Sequence, residues 1–254
     1  MTISLAGQTI VITGGAKRLG RAIALECARS GAHVVITFRD SADEARQTVA
    51  EMQRIAPGAR FEAFPLEVSD GAAVRALADE VCASFPNVSG LVNNAAIFAR
   101  TPFETLSEAD FDSHIAANLK GPFLLSKAFG DRFLQRETAG EGGSILNIAD
   151  IYGIRPLANY VPYCVSKAGL IMLTQSLAKA LAPRVRVNCL CPGTILLPSQ
   201  TQGEADDEAD LIARIPVGRL GKTEEIAQTA VFLLGGPAFV TGATLPVDGA
   251  QSLR

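Results

Sequence analysis

Short β-branched apolar runs alternate with stretches of helical periodicity along this chain, and no other feature limits its fold so strongly. Residues 9–13, 33–38, 60–66, 90–94, 144–149, 185–190 and 244–247 read as strands. Residues 21–29, 41–54, 72–84, 108–136, 162–182 and 223–234 space their apolar side chains as helices do, and Gly121-Pro122 is expected to bend the longest of them. Strands joined through helices pair in parallel. The expectation is an α/β fold, a doubly wound parallel sheet of about seven strands with helices on both faces. No linker or repeat interrupts the pattern, which predicts one dinucleotide-binding catalytic domain over residues 1–254. The one shift in composition falls at residues 199–210, Gln-bearing and then acidic. It suggests a surface segment able to close over a site.

Composition narrows the function classes. Apolar residues make up 48% of the chain, too many for disorder. A net charge of −3 with no basic block argues against a nucleic-acid partner. The apolar runs are too short to span a bilayer, and residues 1–12 lack a signal-peptide pattern, so a cytoplasmic protein without membrane contact is expected. Cys27, Cys82, Cys164, Cys189 and Cys191 form neither a CxxC pair nor a zinc spacing and read as buried, reduced thiols. His33 and His114 stand apart, which leaves no basis for a histidine metal site or a serine–histidine triad.

Chemistry gathers where strands end. After the first strand, Gly14 to Gly20 (GGAKRLG) forms a turn whose backbone N–H groups can face a pyrophosphate. Its spacing departs from GxGxxG, and a plain strand–turn–helix reads much the same. The second strand ends at Phe38, followed by Arg39, Asp40 and Ser41. The strand tip has no acid for the ribose hydroxyls of NAD, and Arg39 suits the 2′-phosphate of NADP(H); Asp40 could pair with Arg39 instead. Asn93 to Ala96 close the fourth strand with small residues, and Pro192-Gly193 follows the sixth. Asn118 lies inside a helical run despite poor propensity, as a local bend or as a holder of water. Tyr163 and Lys167 fall on one helical face, one turn apart. A phenol with a pKa near 10 is a poor proton donor and acceptor at neutrality, and a nearby cation lowers that value. Alone, such a pair is common on amphipathic helices.

Taken in order, TGGAKRLG, NNAA, Asn118, Tyr163-x-x-x-Lys167, Arg186-Val-Asn188 and Pro192-Gly193 resemble the short-chain dehydrogenases/reductases over the whole chain. The resemblance implies a Rossmann-type fold and hydride transfer with a nicotinamide. Tyr163 would be the proton donor, Lys167 would bind the nicotinamide ribose and depress the Tyr163 pKa, and Asn118 would anchor a relay water. Cofactor contacts would fall at Gly14, Lys17, Arg18, Leu19 and Gly20 in the turn, and at Arg39 and Ser41 after the second strand. Further contacts would come from Glu67 and Val68, from Asn94 and Ala95, from Pro192, Gly193 and Ile195, and from Tyr163 and Lys167 themselves. The stretch 239–249 is similar to the family's tail, which implies a homotetramer.

One departure bears on the substrate. The family usually carries a serine where this chain has Asp150. A carboxylate opposes an alkoxide that develops beside it, and suits a substrate with N–H donors and a ring nitrogen that takes up a proton. The pteridine reductases resemble this chain there. They share the Asp–Tyr–Lys set, the arginine of the KRLG turn and an aromatic after NNA, here Phe98. That resemblance implies substrate contacts from Arg18, Phe98, Asp150 and Tyr163, with Phe98 as a stacking face. It also implies NADPH-dependent reduction of a dihydropterin or dihydrofolate to the tetrahydro form. The alternatives are a carbonyl or 3-oxoacyl-carrier-protein reductase of the same family and an NADP-binding protein without turnover. Intact Tyr163, Lys167 and Asn118 argue against the last. Two further departures are Glu67, where the family has Asp, and Ala96-Ile97, where some pteridine reductases have serines.

Overall fold

Residue parity builds the sheet. In β1 (Thr9–Ile12), Ile10 and Ile12 face one helical layer and Val11 the other; in β2 (His33–Phe38), Val34 and Ile36 oppose Val35 in the same way. The computed structural model describes residues 3–136, 142–195 and 208–253. The remaining strands are β3 (Phe61–Pro65), β4 (Val88–Asn93), β5 (Gly143–Ile148), β6 (Val185–Pro192) and β7 (Thr244–Val247). All pair in parallel, in the order β3-β2-β1-β4-β5-β6-β7. The chain steps outward from β1 to β3 and then returns to lay β4 on the other side of β1. At that reversal the crossovers diverge, and a crevice opens above the carboxyl ends of the strands.

The helices are α1 (Arg18–Arg29), α2 (Ala42–Ile55), α3 (Gly71–Ser84), α4 (Glu108–Ile115), α5 (Gly121–Leu134), α6 (Val161–Leu181), α7 (Glu208–Ala213) and α8 (Thr223–Gly235). Ile23, Met52 and Ile226 bring α1, α2 and α8 onto one face of the sheet. Leu77, Phe129, Phe133 and Ala178 bring α3, α5 and α6 onto the other. Each of the larger of these buried side chains contributes roughly 1.5–3 kcal/mol. Among the described residues no helix is long and apolar enough to cross a membrane.

Three expectations change, and a fourth falls mostly outside the described residues. The first helix begins at Arg18, three residues early, because the glycine turn is tighter than its length suggests. The long helical stretch is broken by a π-helical turn at Ala116–Lys120, directly before Gly121-Pro122, and Pro122 sits in the first turn of α5. Of the segment 199–210, residues 199–207 lie outside the described residues, and Glu208 to Asp210 open α7. Cys82 is only partly buried, at the edge of the core under α3, while the other four cysteines are buried.

Candidate active site

A cavity of about 480 Å³ follows the crevice across the carboxyl ends of β1, β2, β4, β5 and β6. Every cofactor position expected from the resemblance lines it, as does Asp150. Phe98 and Asn118 do not. Ala16 and Ala117 also line it and were not singled out in the sequence, although each adjoins a motif position; Asp40 and Ile97, noted there for other reasons, line it too.

The glycine turn is fixed by contact. Gly14 has φ +63, and a Cβ on Gly20 would lie 2.2 Å from the Gly14 carbonyl oxygen. Arg18 stands where the family mostly has a glycine and still adopts φ 54, a conformation that costs an L-residue about 1 kcal/mol or more. The turn is clasped from β4. Asn94 Nδ2 donates to the carbonyls of Thr13 (2.9 Å) and Gly14 (3.2 Å), and Thr13 Oγ1 accepts the N–H groups of Asn94 and Ala95, both at 3.0 Å. Thr13 is thus a site residue that the sequence reading missed. Lys17 caps α1 without a side-chain hydrogen bond, and the first turn carries no acid. That leaves the positive end of the helix facing the cavity, as an anionic pyrophosphate requires. The residues present fit a dinucleotide.

At the β2 end, Arg39 Nε donates to Asp40 Oδ2 at 2.7 Å, the pairing foreseen as the alternative to phosphate. Arg39 Nη1 lies 3.8 Å from Glu67 Oε2. Glu67 Oε1 accepts the N–H (3.1 Å) and the hydroxyl (2.9 Å) of Ser69.

At the β5 end, Asp150 and α6 meet. The Tyr163 hydroxyl donates to Asp150 Oδ2 at 2.7 Å, and Asp150 Oδ1 accepts the Tyr152 N–H at 2.9 Å. Lys167 is buried and donates to the Ile148 carbonyl at 2.8 Å, with Nζ 5.7 Å from the centre of the Tyr163 ring. Burial, and then the Asp150 charge, push the Tyr163 pKa well above its usual value. This runs against the expected depression by Lys167: burial is the largest cause, the Asp150 carboxylate in hydrogen-bond contact adds to it, and the Lys167 ammonium is tied to a carbonyl. Burial also raises the Asp150 pKa, against the opposing pull of Tyr152 N–H, the Tyr163 hydroxyl and Lys167. Desolvation lowers the Lys167 pKa, against Asp150, Cys189 and Cys191. A phenol and a carboxyl that share a hydrogen bond and both hold protons more tightly than usual can pass a proton between them.

The Asn118 side chain holds protein groups. Its Oδ1 accepts the Ile97 N–H (2.9 Å), and its Nδ2 donates to the Ile97 carbonyl (3.0 Å) and to Ser166 Oγ (3.1 Å). The π-helical turn carries this amide between the loop after β4 and α6, so Asn118 ties the cofactor edge to the helix of Tyr163. Phe98 lies next to that tie. Its ring stacks on Tyr160 (centroids 4.6 Å, 12°) and meets Tyr163 edge-on (4.7 Å, 79°), and it remains 48% exposed. One face of the expected stacking platform is therefore covered by Tyr160, a residue that drew no notice in the sequence. His33 and His114 hold structural bonds, to the Arg60 N–H (2.8 Å) and to the Asp110 carbonyl (2.7 Å).

Comparison with known proteins agrees with this geometry. A family model described as enoyl-(acyl carrier protein) reductase matches residues 14–250. A 3β-hydroxysteroid dehydrogenase of Eggerthella lenta is 36% identical over 98% of this chain and 95% of its own. A 3-oxoacyl-[acyl-carrier-protein] reductase of Staphylococcus epidermidis is 33% identical over 96% of this chain and 98% of its own. A solved structure from Beutenbergia cavernae with bound NADP at low occupancy is 35% identical, covers 100% of both chains and superposes with a TM-score of 0.90. The doubly wound fold expected from the sequence is thereby shown.

Proposed function

The chain belongs to the short-chain dehydrogenase/reductase family, and from that premise we propose that it is an NADP(H)-dependent reductase whose proton donor is Tyr163. The nicotinamide, when bound, supplies the hydride. Arg39 at the β2 end supports NADP(H), as does the NADP of the Beutenbergia cavernae relative. Lys167 and the glycine turn would hold the ribose and the phosphates, and Asn118 would keep the loop after β4 in register with Tyr163.

The local geometry best supports a C=N bond of a pterin-type ring as substrate. One observation carries this reading, the Asp150 carboxyl 2.7 Å from the Tyr163 hydroxyl. An alkoxide forming there would meet a carboxylate, whereas a ring nitrogen would take a proton and its N–H neighbours could donate to Asp150. The raised pKa lets Asp150 carry a proton closer to neutrality than an ordinary carboxyl and return it to the phenol. Arg18 lines the same cavity.

The second reading is a carbonyl or 3-oxoacyl reductase, and the comparisons support it better than they support a pterin. The relatives named above are a hydroxysteroid dehydrogenase and a 3-oxoacyl reductase. Steady-state rates with dihydrobiopterin, dihydrofolate and a 3-oxoacyl thioester, each with NADPH and NADH, separate the readings. Dihydropterin turnover that Asp150→Ser abolishes supports the first. Thioester turnover without dihydropterin turnover removes it. NADPH binding with no turnover on any substrate leaves a binding protein. Exposed Phe123, Val165 and Met172 on α5 and α6 support self-association, and sedimentation velocity tests the expected tetramer.

A further inference from the structure

The last turn of the chain reaches two loops that frame the cavity. After β7, residues 248–253 fold back on themselves, with Ala250 at φ 68, a conformation that persists only where the surroundings hold it. Asp248 provides that hold by accepting the N–H groups of Ala250 (3.0 Å) and Ser252 (2.7 Å). The turn then presents two groups. Gln251 Oε1 accepts the Thr194 N–H at 3.0 Å, and Gln251 Nε2 donates to Thr194 Oγ1 at 3.1 Å. The Ser252 carbonyl accepts from Arg155 Nη1 at 3.0 Å.

Thr194 lies between Gly193 and Ile195, which both line the cavity, and the Gly193 N–H donates to the Val247 carbonyl at 3.1 Å. Arg155 follows the 3₁₀ turn Ile151–Gly153 that Asp150 caps. One turn thus secures the loop after β6 and the loop that begins at Asp150. The bond to Thr194 is chemically selective: a primary amide offers an acceptor and a donor side by side, matching one backbone N–H and one hydroxyl oxygen.

We propose that Gln251 is a positioning residue for the cofactor, holding Thr194 from behind so that Gly193 and Ile195 keep their shape in the wall of the cofactor cavity. The proposal rests on the nicotinamide reading above. Its effect reaches the cofactor through Thr194, so it belongs to affinity more than to the chemical step.

The test measures NADPH affinity by titration, KM and kcat by turnover, and the melting temperature, on the full chain and its Gln251→Ala and Gln251→Glu variants. Gln251→Ala is expected to weaken NADPH binding about tenfold, the size of one to two lost neutral hydrogen bonds, with KM rising more than kcat falls. Gln251→Glu keeps the acceptor for Thr194 and is expected to fall between the two. Should the alanine variant fail to fold, the glutamate variant carries the same expectation at smaller size. A Gln251→Ala protein that melts lower but binds NADPH as the wild type does would overturn the proposal alone. A wild-type chain that binds neither NADPH nor NADH overturns the cofactor reading, and this proposal with it.

Discussion

At the β5 end of the cavity Tyr163 and Lys167 are buried, Asp150 is partly so, and all three are tied by hydrogen bonds, whereas at the β2 end Arg39 and Asp40 stand in water, their side chains 62% and 76% exposed. Both ends carry opposite charges on the same sheet edge. They differ in the medium. Buried charges are weakly screened, so a single contact moves a pKa and decides which group holds the proton. Exposed ion pairs are worth about 0–1 kcal/mol and yield to salt. On the proposed reading, the buried end would specify chemistry and the exposed end would adjust which cofactor is preferred.

Tyr163→Phe is expected to test this contrast most severely. It should cut kcat about 10²- to 10⁴-fold, the usual contribution of a positioned proton donor, with NADPH affinity close to wild type by titration. A phenylalanine variant with near-normal turnover would remove the buried end from the chemistry. Next in size, Arg39→Ala should weaken NADPH binding about tenfold at low ionic strength, through the loss of charge-assisted bonds to a 2′-phosphate. NADH binding should change little, and the difference should shrink at high salt, where exposed charges are screened. An Arg39→Ala protein that still prefers NADPH in high and low salt alike would place the preference elsewhere.

Asp150→Asn sharpens the same comparison through stability. Because burial raises the Asp150 pKa in the fold, its contribution to stability is fully present below the ordinary carboxylate value near 4 and is lost as pH rises through the folded value. The asparagine variant should therefore melt higher near neutral pH by about 2–4 °C, for a relief of the order of 1 kcal/mol. The gain should vanish in acid. Wild-type reduction should also slow as pH rises through the same folded value, and the variant should lack that limb. Equal melting points at pH 4 and pH 7 would contradict a strained carboxylate. The smallest effect belongs to Asp40→Asn, which frees Arg39 from its neighbour. NADPH should bind up to about threefold tighter, in keeping with an exposed pair, as read by fluorescence titration in low salt.

Periodicity and composition were enough to foresee all seven strands and the two helical layers, because apolar spacing is a local property that tertiary packing here reinforces. The motif positions were legible for a related reason. Parallel strands deliver their carboxyl ends to one edge, so residues that follow strands in sequence share a crevice in space. Packing alone decided the rest. Thr13 became a clasp for Asn94 and Ala95 because β1 and β4 are neighbours. Tyr160 reached Phe98 because Thr101 bridges the intervening loops, its N–H 2.7 Å from the Asn159 carbonyl. Asn118 turned to Ile97 and Ser166 through a π-helical turn that propensity does not encode. The proton affinity of Tyr163 went against the sequence argument, which could count charges but not the distances and burial that weigh them. The order of residues along the chain determined which groups share the cavity, and the tertiary structure decided how tightly each holds its proton, since that depends on water excluded by elements remote in sequence.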